Sequence, residues 1–456
     1  MKQKRLFALG AILLTGITAI SLVGCGGTGS EGNAGIGSKN PYEISASLGY
    51  EGSDGEFLTS VTEQKSELKL LYEEAKEAGY EKSYLDFLKE YGISSSSATA
   101  SVNRAVTSAV SIVCEFTKIT YTQGWFGGGT QKHETTVTSA GSGVIYSLDK
   151  EAGDAYVITN YHVVCSSESG VTERICLSPV VYLYGSEITS RAMTAEYVGG
   201  AMDYDIAVLK IEGNEFLKNS AARAVTVGDS DAVTVGEAAY AVGNAKGEGT
   251  SVSRGVVSVL AEYIDIESAD GSKKINLLEM RTDASINHGN SGGGLYNEAG
   301  QLIGIVNAKY EDSGVDGIGY AIPANLAIPL AQNIIDNSKS NSAKGAMRAT
   351  LGITVQVTDS KAVYDETYGK TYVMETITVQ EVTGSAVSGK VKANDVVYSV
   401  RINDGEKKIV TRLHMVTNTL FDVRKGDTVT LELYRDGSLE TVTISFTEDA
   451  QFTLYH

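Results

Sequence analysis

The apolar positions of this chain change period several times, and each change marks a new kind of element. Lys2, Lys4 and Arg5 precede a mostly apolar run from Leu6 to Val23, the profile of a secretion signal over residues 1–24. Residues 25–57 are rich in Gly, Ser, Glu and Asn and are expected to be a flexible spacer. From Ser60 the spacing becomes helical. Ser60-Val-Thr-Glu63 has capping-box form, Leu68, Leu71, Tyr72 and Ala75 share a face, and Gly79 is a stop. A second short helix carries Tyr84, Phe87, Leu88 and Tyr91 up to Gly92, giving a helical hairpin over 58–93. Ser94 to Ser101 is expected to be a linker. Residues 102–338 then show many short alternating strands separated by glycine turns, the pattern of a pair of antiparallel barrels. Asn337 to Lys344 is polar and is expected to be a linker before a last domain over 346–448.

The chemistry-bearing residues fall at the ends of apolar strands. Ala155-Tyr-Val-Ile-Thr-Asn-Tyr-His-Val-Val164 is a β-branched run reaching His162, and Asp205-Ile-Ala-Val-Leu-Lys210 puts an acid at the mouth of another. Gly289-Asn290-Ser291-Gly292-Gly293 sets a serine between glycines. That arrangement lets the Gly289, Asn290 and Ser291 backbone line an oxyanion hole, with the Gly289 and Ser291 N–H groups as donors. The order His, Asp, Ser is that of the chymotrypsin-type triad, with Ser291 as nucleophile, His162 as base and Asp205 as orienter. Asp203 is the rival orienter. It follows no apolar strand directly and reads as a surface acid.

Residues from about Ala100 to Phe446 resemble the HtrA (Deg) family, a trypsin-like serine protease domain followed by a PDZ domain. The matching pieces include Gly141-Ser-Gly-Val-Ile145, Thr159-Asn-Tyr-His-Val-Val164, Gly228-Asp-Ser230, Val242-Gly-Asn244, Thr282-Asp-Ala284 and Gly317-Ile-Gly-Tyr-Ala-Ile-Pro323. The chain departs from the family at His288 and Gly294, where Pro, or Pro or Ala, is usual, and at Ala245, where Pro is usual. The resemblance implies a mainly β fold, a chymotrypsin-like double antiparallel barrel followed by a PDZ domain. It also implies unfolded or damaged polypeptides as substrates and a possible homotrimer, with the Trp125-Phe126 pair of the Tyr121–His133 loop as either an intersubunit anchor or local packing. In trypsin-like enzymes the residue six before the nucleophile floors the S1 pocket. Here that is Ser285, opposite Ile318, Gly319, Tyr320 and Ala321, so cleavage after small or medium apolar residues is expected. Leu351-Gly352-Ile353 resembles a PDZ carboxylate-binding loop, and the strand after it an edge that captures peptide C-termini.

Composition narrows the setting. A net charge of −18 argues against nucleic acid and against adhesion to an anionic bilayer by surface charge. Leu22-Val-Gly-Cys25 resembles a bacterial lipobox, which would make Cys25 a lipidated residue and the protein extracytoplasmic and membrane-tethered; an uncleaved membrane anchor is the alternative. Cys165 and Cys176 are close enough in sequence for a disulfide in an oxidising compartment, or for two reduced buried thiols. The five histidines are scattered, no His/Cys set has metal spacing, and neither a metal nor a cofactor is expected. A non-proteolytic chaperone or peptide-binding adaptor is the competing function class, disfavoured by the intact Ser, His and Asp.

Overall fold

The computed structural model describes residues 39–57, 72, 75–76, 79–80, 96–123, 130–186, 189–245, 249–308, 317–341, 344–367 and 369–456. The secretion signal, Cys25, most of the expected hairpin and Trp125-Phe126 lie outside the described residues. No helix among the described residues is long and apolar enough to cross a membrane.

The first helix, α1 (Pro41–Ser47), forms inside the stretch expected to be spacer. Asn40 caps it, Glu43 returns the bond to the Asn40 N–H, and Pro41 stands in the first turn. Its Ile44 is fully buried among Val396, Tyr398 and Tyr434, and Phe57 is buried among Val363, Tyr372 and Met374. The 39–57 segment is therefore folded onto the carboxy-terminal domain. The next helix, α2 (Ser96–Val106), overruns the linker expected at 94–101, because Ala98, Val102, Ala105 and Val106 are buried.

The region expected to be the protease is two antiparallel units. Strands β1 (Ala109–Gln123), β2 (Thr130–Asp149), β3 (Asp154–Thr159), β4 (Val180–Leu183), β5 (Met193–Thr194), β6 (Glu196–Ala201) and β7 (Ile206–Ile211) make a seven-stranded sheet in the order 5-4-1-2-3-7-6. A four-residue helix, α3 (Tyr161–Val164), follows β3, and α4 (Glu215–Lys218) follows β7. Strands β8 (Ala238–Gly243), β9 (Ser251–Glu267), β10 (Lys274–Thr282), β11 (Gly294–Tyr296), β12 (Leu302–Asn307) and β13 (Gly319–Pro323) close into a barrel. Period-two burial fills the first unit with Ile112, Val157 and Leu209, and the second with Met280, Leu295 and Val306. Helix α5 (Ala324–Asn341) continues from β13 through the first half of the expected 337–344 linker. It does so because its polar side chains find partners: Asn337 Nδ2 donates to Asn333 Oδ1 (2.8 Å) and to the Gly345 carbonyl (3.2 Å).

The last domain is a sheet ordered β15 (Ile353–Asp365), β16 (Lys370–Val382), β17 (Val396–Ile402), β19 (Thr428–Arg435), β20 (Ser438–Ser445), with β18 (Lys408–Ile409) on β17 and helix α6 (Leu413–Thr419) packed along β15. A separate ribbon pairs β14 (Ala346–Ala349) with β21 (Phe452–Tyr455), so ordered structure runs past the expected boundary at 448. Contacts with the protease are specific. Asn333 Nδ2 donates to the carbonyls of Met347 (2.8 Å) and Phe421 (2.7 Å), and His414 Nε2 lies 3.0 Å from Asp231 Oδ1.

Candidate active site

His162 sits in α3, directly after β3 delivers the chain to the mouth of the cleft. Asp205 ends a 3-10 turn (Met202–Tyr204) and adopts the left-handed region at φ 49°. Few non-glycine residues stay there unless their surroundings fix them. Here the Asp205 N–H donates to the Met202 carbonyl (3.2 Å), while the Asp205 carbonyl accepts from Tyr161 N–H and Asn160 Nδ2, each at 3.0 Å. The carboxylate is 2% exposed. Oδ1 accepts the His162 backbone N–H at 3.0 Å and Oδ2 lies 2.7 Å from His162 Nδ1. A carboxylate can only accept from Nδ1–H, which leaves Nε2 as the ring's basic nitrogen. Asp203 instead pairs with Lys273 at 2.5 Å.

The serine loop is fastened to β2. Ser142 N–H donates to the Ser291 carbonyl (2.8 Å), and its hydroxyl donates to the Gly289 carbonyl (2.7 Å) while accepting Asn244 N–H (2.8 Å). Gly292 has φ +83°, and a Cβ there would fall 2.2 Å from the Ser142 carbonyl oxygen and 2.3 Å from Thr159 Oγ1. Only glycine fits both the torsion and the space. Among the described residues, neither Gly289 nor Ser291 N–H donates to another backbone group. Ser291 Oγ accepts the Ala308 N–H at 3.2 Å, and no hydrogen bond joins it to His162 among the described residues. Resting serine–histidine contacts are commonly long before substrate arrives.

Two residues near this site carry no earlier role. Ile286 lies against Gly319: a Cβ on Gly319 would be 2.6 Å from Ile286 Cδ1. Ser285 is exposed, with its carbonyl accepting Ser253 Oγ (2.8 Å), and Ile318 is exposed beside the same loop. Tyr320 and Ala321 belong to β13, where Ala321 is paired with Met280 and Val306 inside the barrel. An apolar side chain five before the serine, in a polar loop, was the available signal for Ile286. Glu279 on β10 had none, since one acid in an apolar strand reads as an outward position. It is fully buried, with Oε1 accepting Asn307 Nδ2 at 2.8 Å and no partner for Oε2. Burial pushes its carboxyl well above the usual range, and the Asp205 charge adds to the effect.

Cys114, Cys165 and Cys176 are all buried, and none of the three is in a disulfide. All three belong to the same apolar core, and no disulfide joins Cys176 to Cys165. No group of three or more potential metal ligands occurs among the described residues. In the last domain, Gly352 has φ +74° and packs so that a Cβ would meet Gly384 Cα at 2.4 Å. The Gly352 carbonyl accepts the Thr383 and Gly384 N–H groups (2.8 Å each), which fixes the loop before β15. Leu351 is buried, and the Leu351 and Gly352 N–H groups have no backbone acceptor among the described residues. Ile353 opens β15, which is the edge of its sheet. Asn394 adopts φ 71°, a left-handed turn that asparagine tolerates.

A two-unit β protease with a carboxy-terminal peptide-binding fold is the class that these features define. Residues 141–305 match the trypsin-like peptidase domain and residues 349–446 the PDZ domain. The chain is 33% identical over 321 residues to the serine protease Do-like HtrB of Bacillus subtilis, covering 68% of this chain and 62% of that protein. It is 32% identical to the serine protease Do-like HtrA of Lactococcus lactis, covering 71% of this chain and 75% of that one. Among solved structures, the HtrA-type protease AlgW with decapeptide is 26% identical, covering 79% of this chain and 99% of that chain at a TM-score of 0.45. The chain belongs to the HtrA (Do-like) family of serine proteases.

Proposed function

We propose that this protein is a tethered extracytoplasmic serine endopeptidase that cleaves unfolded or damaged polypeptides after small or medium apolar residues. The observation that carries this reading is the 2.7 Å contact of Asp205 Oδ2 with His162 Nδ1, beside a serine loop strapped to β2.

Ser291 Oγ exchanges the Ala308 N–H for His162 Nε2 as substrate enters. His162 then takes the hydroxyl proton as Oγ bonds to the peptide carbonyl carbon, and Asp205 stabilises the imidazolium. The carbonyl oxygen becomes an oxyanion held by Gly289 and Ser291 N–H, each donor contributing about 3–4 kcal/mol in comparable sites. The C–N bond breaks as His162 returns its proton to the departing amine, leaving an acyl-enzyme. Water, deprotonated by the same imidazole, attacks the acyl carbon, and the proton returns to Oγ. Ile286, Ile318 and Gly319 give an apolar S1 region, and Ser285 supplies no carboxylate for Lys or Arg. Leu351, Gly352 and Ile353 receive a peptide carboxylate, with the peptide added to the β15 edge. Lipidation at Cys25 holds the protein to the membrane, and a homotrimer is the assembly.

A fluorophosphonate probe and casein cleavage test the reading. The wild-type chain should label at Ser291 and degrade casein, whereas Ser291→Ala should do neither while remaining folded. Asp205→Asn should lower kcat by about 10⁴-fold, and Asp203→Asn should leave it within a few-fold. A folded wild-type chain that neither labels nor cleaves supports an adaptor instead.

A further inference from the structure

The turn that presents Asp205 is held from outside the protease domain. Met202 N–H, at the start of that turn, donates to the His456 oxygen at 2.7 Å, immediately after strand β21. Tyr204, the residue before Asp205, is wedged between two rings of the carboxy-terminal domain. Its centroid lies 5.0 Å from that of Phe421 and 5.3 Å from that of Tyr455, both edge-on. Such pairs are each worth about 0.5–1.5 kcal/mol beyond their burial. Arg348 on β14 donates from Nη1 to the Tyr204 hydroxyl at 2.5 Å and stands over the Tyr455 ring at 5.0 Å.

The neighbouring space makes this contact consequential. A cavity of about 360 Å³ lies against Tyr204, Arg348, Phe421 and Tyr455. The Tyr204 ring therefore has room to leave its place, and the β14–β21 ribbon is what keeps it seated. Asp205 meanwhile holds a left-handed torsion that needs external support. A turn pinned at Met202 and Tyr204 cannot release Asp205 into an extended conformation without breaking both contacts.

We infer that Tyr204 is a positioning residue, through which the β14–β21 ribbon of the PDZ domain holds Asp205 in register with His162. This rests on the triad reading above. Protease activity then depends on the carboxy-terminal ribbon even for substrates too short to reach the PDZ groove.

The test uses the full chain, a short chromogenic peptide and three variants: Tyr204→Ala, Tyr204→Phe and a deletion of residues 452–456. Tyr204→Ala and the deletion should each lower kcat by about 10-fold to 100-fold, the range expected for a small misplacement of catalytic groups, with KM within two-fold. Tyr204→Phe keeps the ring contacts and should restore kcat to within about three-fold of wild type. Wild-type kcat in the deletion variant would overturn the inference. So would a Tyr204→Phe chain whose kcat falls as far as that of Tyr204→Ala. If Tyr204→Ala does not fold, the deletion and Tyr204→Phe decide alone. Fluorophosphonate labelling of the wild-type chain separates the two ideas: without labelling the triad reading fails, and with it only the positioning role is at stake.

Discussion

Glu279→Gln isolates the energetic consequence of an acid buried behind the candidate triad. The side chain is fully buried, one oxygen is satisfied by Asn307 Nδ2 and the other has no partner. An ionised carboxylate there would lack most of its solvation and stand near the Asp205 charge, so the folded chain keeps the proton. The unfolded chain releases it near the ordinary value of 4.5. Between these two points the native state binds one more proton than the unfolded state. Stability is then fully present below about pH 4.5 and falls as pH rises, by about 1.4 kcal/mol per unit, until the folded acid ionises. Glutamine retains the oxygen that accepts from Asn307 and has no proton to lose. The variant's stability relative to the parent should therefore grow by about 1.4 kcal/mol per unit, or roughly 2.7 kcal/mol from pH 5 to pH 7 while the buried acid stays protonated. Any change in hydrogen bonding adds a constant offset of about 1 kcal/mol. Urea unfolding at pH 5, 6 and 7, both chains carrying Ser291→Ala to prevent self-cleavage, measures the difference. Parallel stability curves over that range would mean that Glu279 is ionised in the native state, and the argument would fail.

Two further outcomes follow from the site geometry. A peptide-library profile should favour Val, Ala, Ile or Leu before the cleaved bond, and Ile286→Ala should shift preference toward larger apolar residues by about 10-fold or more, as for a few methylenes of pocket space; a profile dominated by Arg or Lys would refute this. Calorimetric titration of the full-length Ser291→Ala chain with peptides ending in Val or Leu should show binding that disappears when the terminal carboxylate is amidated, and equal binding of both forms would rule out carboxylate capture at Leu351-Gly352-Ile353.

What the sequence made legible was local. The apolar strand before His162, the apolar strand after Asp205 and the glycines around Ser291 are each signals within a dozen residues. The structure brings His162 and Asp205 into contact from β3 and β7, which are neighbours in one sheet. The residues that escaped notice depend on contacts distant in sequence. Glu279 is unremarked in β10 until the barrel closes around it, and Ile286 gains meaning only from Gly319 across the loop. The 39–57 segment is a different case. Its glycine and serine content suggested a spacer, yet Asn40-Pro41-Tyr42-Glu43 carries a complete capping box. Average composition concealed a strong positional signal. The same happened at Asn337, where a polar run stays helical with the Asn337 amide donating to Asn333 and to the Gly345 carbonyl.

The docking of Ile44 and Phe57 onto the carboxy-terminal sheet has a consequence for the order in which the molecule is completed. In topological terms the protease is an insertion, since the PDZ unit is built from chain on both sides of it. Synthesis and export proceed from the amino end, so Ile44 and Phe57 emerge without their binding sheet. The ~300 residues that separate Phe57 from that sheet take roughly 15–60 s to make at about 5–20 residues per second. The protease strands, continuous in sequence, are assembled within that interval. The PDZ sheet is made after the protease strands, and the ribbon strand β21, whose Tyr455 packs on Tyr204, follows it. A chain interrupted before that strand is made would carry Ser291, His162 and Asp205 but lack the Tyr455 ring that packs against Tyr204.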